Sequence, residues 1–183
     1  MKRALHVACE VGSELVVEVL LEAGADVLLE TKSGVQPIHI AANNLNGKKC
    51  LQLLLDNINI SPNVFDDNYY TPLHYATSIG ALDNIKLLVD YYADINLKGF
   101  LFLFLFLFLF IFFFSGKGDY GIPPVYLAIS EGFPEIMKYY IEKGCDIDTP
   151  DSNGNTALHI AASVGVKIKF IFNWKKKYFK KNK

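Results

Sequence analysis

Four histidines (His6, His39, His74 and His159), three cysteines (Cys9, Cys50 and Cys145) and the glycine-rich stretch at 116–121 are the features of this chain that could carry chemistry. Histidine with cysteine suggests tetrahedral zinc, which needs each nitrogen about 2.0–2.1 Å from the metal. The cysteines stand far apart and form no C-x-x-C pair, against both a zinc ribbon and a disulfide framework. They read as small buried residues of a reducing compartment. No Ser/His/Asp or Cys/His constellation has a supporting motif, and "GKGDYG" lacks the G-x-x-x-x-G-K-[ST] spacing of a phosphate loop. The expectation is no catalysis, no cofactor and no metal.

What positions the histidines is a repeated phrase. "ALHVACEVG" (4–12), "PIHIAANNLNG" (37–47), "TPLHYATSIG" (71–80), "PVYLAISEG" (124–132) and "TALHIAASVG" (156–165) recur, most followed by an apolar helical stripe and a relative of "GAD". Each histidine holds the same place in a different copy. Stacked helices lie roughly 8–10 Å apart, too far for neighbouring copies to share a zinc, so each ring is expected to satisfy backbone groups near its own turn. Thr71 and Thr156 can cap a helix with the hydroxyl, and Pro72 suits a first turn that needs no N–H. Ala76 and Ala161 are small where helices approach, and Gly12, Gly80, Gly132 and Gly165 end the first helix. A second helix follows in "SELVVEVLLEAG", with Leu15, Val16, Val19 and Leu20 as its apolar stripe. A pair this small cannot bury that stripe alone, so neighbours must stack on it.

These phrases resemble the ankyrin repeat, with its T-P-L-H-x-A signature and period near 33. The resemblance covers residues 4–165 apart from one run, and it implies an all-α solenoid of four to five helix-turn-helix units joined by β-hairpin-like fingers. His6 to His39 is 33 residues, and Tyr126 to His159 is again 33. His39 to His74 is 35, the excess lying in the lengthened turn between Ala41 and Gly47. From His74 to Tyr126 the distance is 52, nineteen beyond the period. Removing Gly99 to Lys117 joins "ADINLK" to "GDYGIPPVYLA" and restores the register. The expected divisions are repeats at 4–35, 36–70 and 71–98, an insert at 99–117, a fourth repeat with the start of a fifth at 118–165, and a tail at 166–183.

The insert contains fifteen consecutive Phe, Leu and Ile residues, Phe100 to Phe114, and nine of the 14 Phe. As a helix it would span roughly 22 Å, short of the roughly 30 Å of a bilayer core. As a strand its alternation would demand burial on both faces. The reading preferred is genetic, since alternating Leu and Phe codons are pyrimidine-rich and a phase-perfect insertion is what a retained short intron leaves. A membrane role is expected only if the run from Gly99 to Gly116 is a real span. The tail holds eight of the 18 Lys and Arg and no acid. It reads as a degenerate or disordered end, or alternatively as a polybasic segment for an anionic surface. Residues 1–165 carry 10 basic against 19 acidic side chains, and no basic nucleic-acid footprint.

What remains for function is surface. The resemblance implies protein binding through finger tips and the exposed face of the first helices, with no small-molecule substrate and no nucleic acid. By motif position these are Lys32, Ser33, Val35, Asn43 and Asn44; Asp67, Asn68, Tyr70, Ser78 and Ile79; Asp119, Tyr120, Ile122, Ser130 and Glu131; and Ser152, Asn153, Asn155, Ser163 and Val164. Tyr70, Tyr120 and Ile122 are the expected anchors. With Asp66 and other acids near that face, a basic or mixed aromatic partner is expected. Tyr69 stands where the repeat has Gly, which makes that finger's geometry unusual. The function expected is a cytoplasmic, non-enzymatic scaffold or adaptor. The alternatives are the cytoplasmic repeat region of a membrane protein, such as a transient-receptor-potential-type channel, and a repeat segment attached to an enzyme.

Overall fold

The structure, a computed structural model, describes residues 2–98, 121–151 and 153–165. Within them are nine helices and no strand. They are α1 (Ala4–Val11), α2 (Glu14–Glu22), α3 (Pro37–Ala42), α4 (Lys48–Leu55), α5 (Pro72–Ser78), α6 (Leu82–Asp90), α7 (Pro124–Ser130), α8 (Pro134–Glu142) and α9 (Ala157–Ser163). The helices run from six to nine residues, too short to persist alone in water. They form antiparallel pairs, and the first helices stack in the order α1, α3, α5, α7, α9, with α2, α4 and α6 stacked beside them.

Repetition of small residues makes the stacking possible. Ala8, Ala41, Ala76, Ala128 and Ala161 occupy one position of successive first helices and are all buried. Leu5, Ile38, Leu73 and Val125 form a parallel row, and Val17, Leu51, Ile85 and Met137 continue the core along the second helices. The three cysteines are buried and free, and burial pushes the Cys9 and Cys145 thiols up to about 12, so they pack as small apolar groups.

The apolar stripe expected on α2 needs correction. Leu15, Val16 and Val19 are 69%, 46% and 54% exposed, while Val17 is buried. The reason is which neighbour each face meets. Cys50, Asn84 and Ile136, the counterparts of Val16, are buried against the preceding pair, and among the described residues no pair lies on that side of α2.

The histidines hold the frame with both ring nitrogens. The N-cap backbone N–H of Gln36, Thr71 and Thr156 donates to Nδ1 of His39, His74 and His159 at 3.1–3.2 Å. On the far side of the ring, Nε2 donates to a carbonyl of the finger that leads to the next repeat: His6 to Val35 at 3.1 Å, His39 to Val64 at 3.2 Å and His74 to Ile122 at 2.9 Å. A donor at one nitrogen and a carbonyl at the other select the neutral Nε2–H tautomer. The threonine hydroxyls also lie on the ring, Thr71 Oγ1 at 2.8 Å and Thr156 Oγ1 at 2.9 Å from Nδ1, so the expected hydroxyl cap is drawn to the imidazole. Burial holds the His74 imidazole down at about 4, only partly opposed by its Ile122 carbonyl.

Repeat four departs from this pattern in two places that compensate each other. Its N-cap is Pro123, which has no N–H to be accepted. Tyr126 replaces the histidine, and its buried phenol donates to the Thr149 carbonyl of the next repeat. The acceptor is dispensed with where the donor is missing, and the link onward is kept.

The lengthened turn after α3 is stapled from the following repeat. Asn84, 1% exposed on α6, donates through Nδ2 to the carbonyls of Ala42 at 3.1 Å and Asn44 at 2.8 Å. Asn44 in turn donates to the carbonyls of Cys9 and Glu10.

The Phe/Leu run and the Lys-rich tail lie outside the described residues. The helix pairs flanking the run pack as consecutive repeats. His74 reaches Ile122, the Asp146 N–H donates to Asn96 Oδ1 at 2.9 Å, and the buried Tyr140 hydroxyl meets Thr77 Oγ1, whose own proton goes to Leu73 O at 2.7 Å. No helix among the described residues is long and apolar enough to cross a membrane.

Candidate partner-binding face

Fingers lead from second helices to the next first helices, and three tips among the described residues are closed by a five-residue turn. Thr31 N–H donates to Val35 O at 2.9 Å, Asp66 to Tyr70 at 3.0 Å and Asp151 to Asn155 at 2.8 Å. The opening side chain braces the turn from within: Asp66 Oδ1 accepts from Asn68 N–H at 3.0 Å and Tyr70 N–H at 2.7 Å, and Asp151 Oδ1 accepts from Asn153 and Asn155, both at 2.8 Å. The fourth residue of each turn takes positive φ: Gly34 at 67°, Gly154 at 79° and Tyr69 at 61°. Tyr69 therefore adopts the glycine conformation, and its ring lies 6.1 Å from Phe65. At Gly34 there is a second constraint, because a Cβ there would meet Asp67 N at 2.7 Å where adjacent fingers touch.

Between the fingers and the first helices run two hollows. One, of about 480 Å³, is lined by Lys2, Glu10, Thr31, Lys32, Ser33, Val35, Ile40, Asn43, Asn44 and Tyr75. The other, of about 340 Å³, is lined by Asn68, Tyr70, His74, Tyr75, Ser78 and Leu127. Tyr75 borders both, so the two adjoin at this residue along the channel between fingers and first helices.

Eight residues named from motif position therefore line a hollow: Lys32, Ser33, Val35, Asn43, Asn44, Asn68, Tyr70 and Ser78. Asp67, Ser130, Glu131, Asn153, Ser163 and Val164 are exposed without lining either. Ile79 and Ile122 are half-buried and pack on the core, and Ile122 offers its carbonyl to His74. The Asn44 side chain is taken up by the frame, as is Asn155, whose amide reaches Asp151 at 3.3 Å. Asp119, Tyr120 and Ser152 lie outside the described residues.

Sequence reasoning missed Ile40, Tyr75 and Leu127, which line the channel from one helical position. The signal was present as the variable x of T-P-L-H-x-A, a free residue between a fixed histidine and a fixed alanine. It also missed how Asp66 organises the second hollow. Only 5% exposed, Asp66 accepts the Tyr75 hydroxyl at 2.8 Å besides its two backbone donors. The Tyr70 ring stands 6.5 Å from Tyr75 at 88° and 5.5 Å from His74. Burial, reinforced by the Asp66 charge, holds both phenols above the usual tyrosine range. Among the described residues no group of three His, Cys, Asp or Glu side chains could hold a metal ion.

Helix pairs in register, the histidine links and the braced fingers are matched by a family profile described as "Ankyrin repeats (3 copies)", which covers residues 5–99 and 105–177. The chain belongs to the ankyrin-repeat family. Such repeats bind other proteins. Similar ankyrin-containing proteins include a putative palmitoyltransferase ZDHHC13 of Danio rerio, 31% identical over 143 residues, 78% of this chain and 19% of that one. The nuclear factor NF-kappa-B p105 subunit of Gallus gallus is 29% identical over 164 residues, 88% of this chain and 15% of that protein. The human transient receptor potential cation channel subfamily A member 1 is 27% identical over 140 residues, 76% of this chain and 11% of the channel. The chain spans less than a fifth of the length of each of these, so the resemblance to the named enzyme is to part of it only.

Proposed function

We propose that the chain is a non-enzymatic protein-interaction module, working in the cytoplasm as a scaffold or adaptor through the channel between its fingers and first helices. The observation that carries this is the meeting of two hollows at Tyr75, lined by side chains the frame does not need, such as Lys32, Ser33 and Tyr70. Asp67, Asn68, Ser130, Glu131 and Asn153 belong to the same face by position. The divisions proposed are repeats at 4–35, 36–70 and 71–98, an insert at 99–117, a fourth repeat with the start of a fifth at 118–165, and a Lys-rich tail at 166–183.

A second reading, the cytoplasmic repeat region of a longer membrane protein, is favoured by the likeness to the cation channel. It leaves the role of the channel face unchanged. Site-specific photo-crosslinking tests that face, with a benzoylphenylalanine at Ser33 or Ser78 in the channel and, for comparison, at Lys86 on the outer side of α6. Partner adducts from Ser33 and Ser78 and none from Lys86 are expected. Adducts from Lys86 alone would place binding on the opposite face and end this reading.

A further inference from the structure

We propose that the hollow between Tyr70 and Tyr75 is a receptor for a cationic side chain, an arginine carried on an extended segment of a protein partner. This rests on the channel being the binding face, and names what one part of it takes.

Shape gives the first argument. Two tyrosine rings 6.5 Å apart and at 88° make a corner of aromatic surface, with the hollow of about 340 Å³ open in front of it. A planar guanidinium can lie flat on one ring while its edge points along the other, a cation–π geometry. Arginine also needs acceptors. Asn68, whose side-chain carbonyl is an acceptor, borders the hollow, and Ser78 Oγ, having donated to Tyr75 O at 2.9 Å, keeps lone pairs to offer.

Charge gives the second. The Asp66 carboxylate behind the rings is surrounded by dipoles, two backbone N–H groups and the Tyr75 hydroxyl. The ion pairs Lys2–Glu10 and Lys49–Glu14 lie in the first two repeats and neither involves Asp66. No cation among the described residues pairs with Asp66, so its potential reaches the rings, where burial first and this charge second oppose phenolate formation at Tyr70 and Tyr75. Burial disfavours either charge, whereas the Asp66 potential favours a cation. Exposed Asp67 on the same finger and Glu131, one turn beyond Leu127, carry the same sign, and among the described residues no lysine or arginine lines this hollow. The neighbouring hollow has Lys2 and Lys32 at its walls, so the preference belongs to this end of the channel.

The test uses the full chain and two nine-residue glycine–serine peptides that differ only at the centre, arginine in one and its uncharged isostere citrulline in the other. Tyrosine ring signals followed by NMR during titration should shift at Tyr70 and Tyr75 with the arginine peptide, which should bind at least tenfold tighter than citrulline. Asp66→Asn keeps an acceptor for the turn and removes the charge. It should cut arginine-peptide affinity about fivefold and leave the citrulline peptide unchanged. Should that variant fail to fold, the arginine-to-citrulline ratio on the unaltered chain decides alone. Equal affinities, shifts confined to the Lys32 hollow, or no ring shift up to millimolar peptide would overturn the inference. A partner crosslinked from Ser78 without arginine preference would end this inference and spare the module reading. Crosslinks from Lys86 alone would end both.

Discussion

Tyr92 shows at the scale of one residue how a repeat departs from its own frame. It stands where Gly24 and Gly144 end the second helix of other repeats, has φ of 67° and is 90% exposed. The left-handed conformation costs a non-glycine residue about 1 kcal/mol or more, and so exposed a ring has little packing to offset it. Tyr92→Gly should therefore raise stability by about 1 kcal/mol, read as a gain of about 2–4 °C in a thermal melt. Tyr69→Gly should gain less, because the Phe65 contact is lost. His74 makes the stability depend on pH. Its folded value is lowered to about 4 from an ordinary 6.5, so the unfolded chain binds the proton first as pH falls. The contribution is present above about 6.5 and is lost between there and about 4, on the order of 3 kcal/mol in all. Urea midpoints at pH 7.5 and pH 4.5 should differ in that direction, and a flat profile would contradict the neutral buried ring. The sequence announced that the histidines were frame residues, since they recur in phase. It was silent on their Nε2 partners, because the carbonyls of Val35, Val64 and Ile122 become neighbours only after repeats stack.

At the scale of elements, the first helices were legible because Pro, His, Ala and Gly each meet a local demand of a short capped helix. The outer faces of the second helices were not, since burial there is decided by the adjoining pair: Val16 is open to solvent while its counterpart Asn84 is closed. Asn84 carries the sharpest element-level consequence. Its amide satisfies two carbonyls of a turn in the previous repeat, so Asn84→Ala should cost about 1–2 kcal/mol. A denaturant melt measures it, and the same change should soften Ala42 to Gly47 in hydrogen exchange before other segments. An unchanged exchange pattern there would show that the lengthened turn, longer by one residue between His39 and the Gly47 N-cap than between His74 and the Ala81 N-cap, holds itself.

For the whole molecule, nearest-neighbour contacts supply much of a solenoid's stability, and the junction between the third and fourth repeats is one of them. In the first finger three residues bridge Glu30 to Gly34, and without Gly99 to Lys117 three residues, Gly118 to Tyr120, would bridge Lys98 to Gly121. Deleting 99–117 should therefore leave the His74–Ile122 and Asn96–Asp146 links in place and raise both yield of monomer and unfolding midpoint, since a fifteen-residue apolar run is an aggregation hazard. A deleted form that melts lower would make the run part of the fold. The site was legible to the same degree as the array. Finger tips could be mapped by counting, whereas the Tyr70–Tyr75 corner required knowing that Asp66 turns inward beneath it.

Pro123 and Tyr126 have a bearing on the history of the chain. Starting from a Thr-and-His arrangement, replacing the histidine first leaves a cap N–H without an acceptor, and replacing the cap first leaves Nδ1 without its donors. Each single step is a loss that the other repairs, so the two positions are joined by sign epistasis. Pro123→Thr and Tyr126→His should each lower stability, and together they should recover most of it. Lineages that exchange one of these residues should therefore be found to have exchanged both.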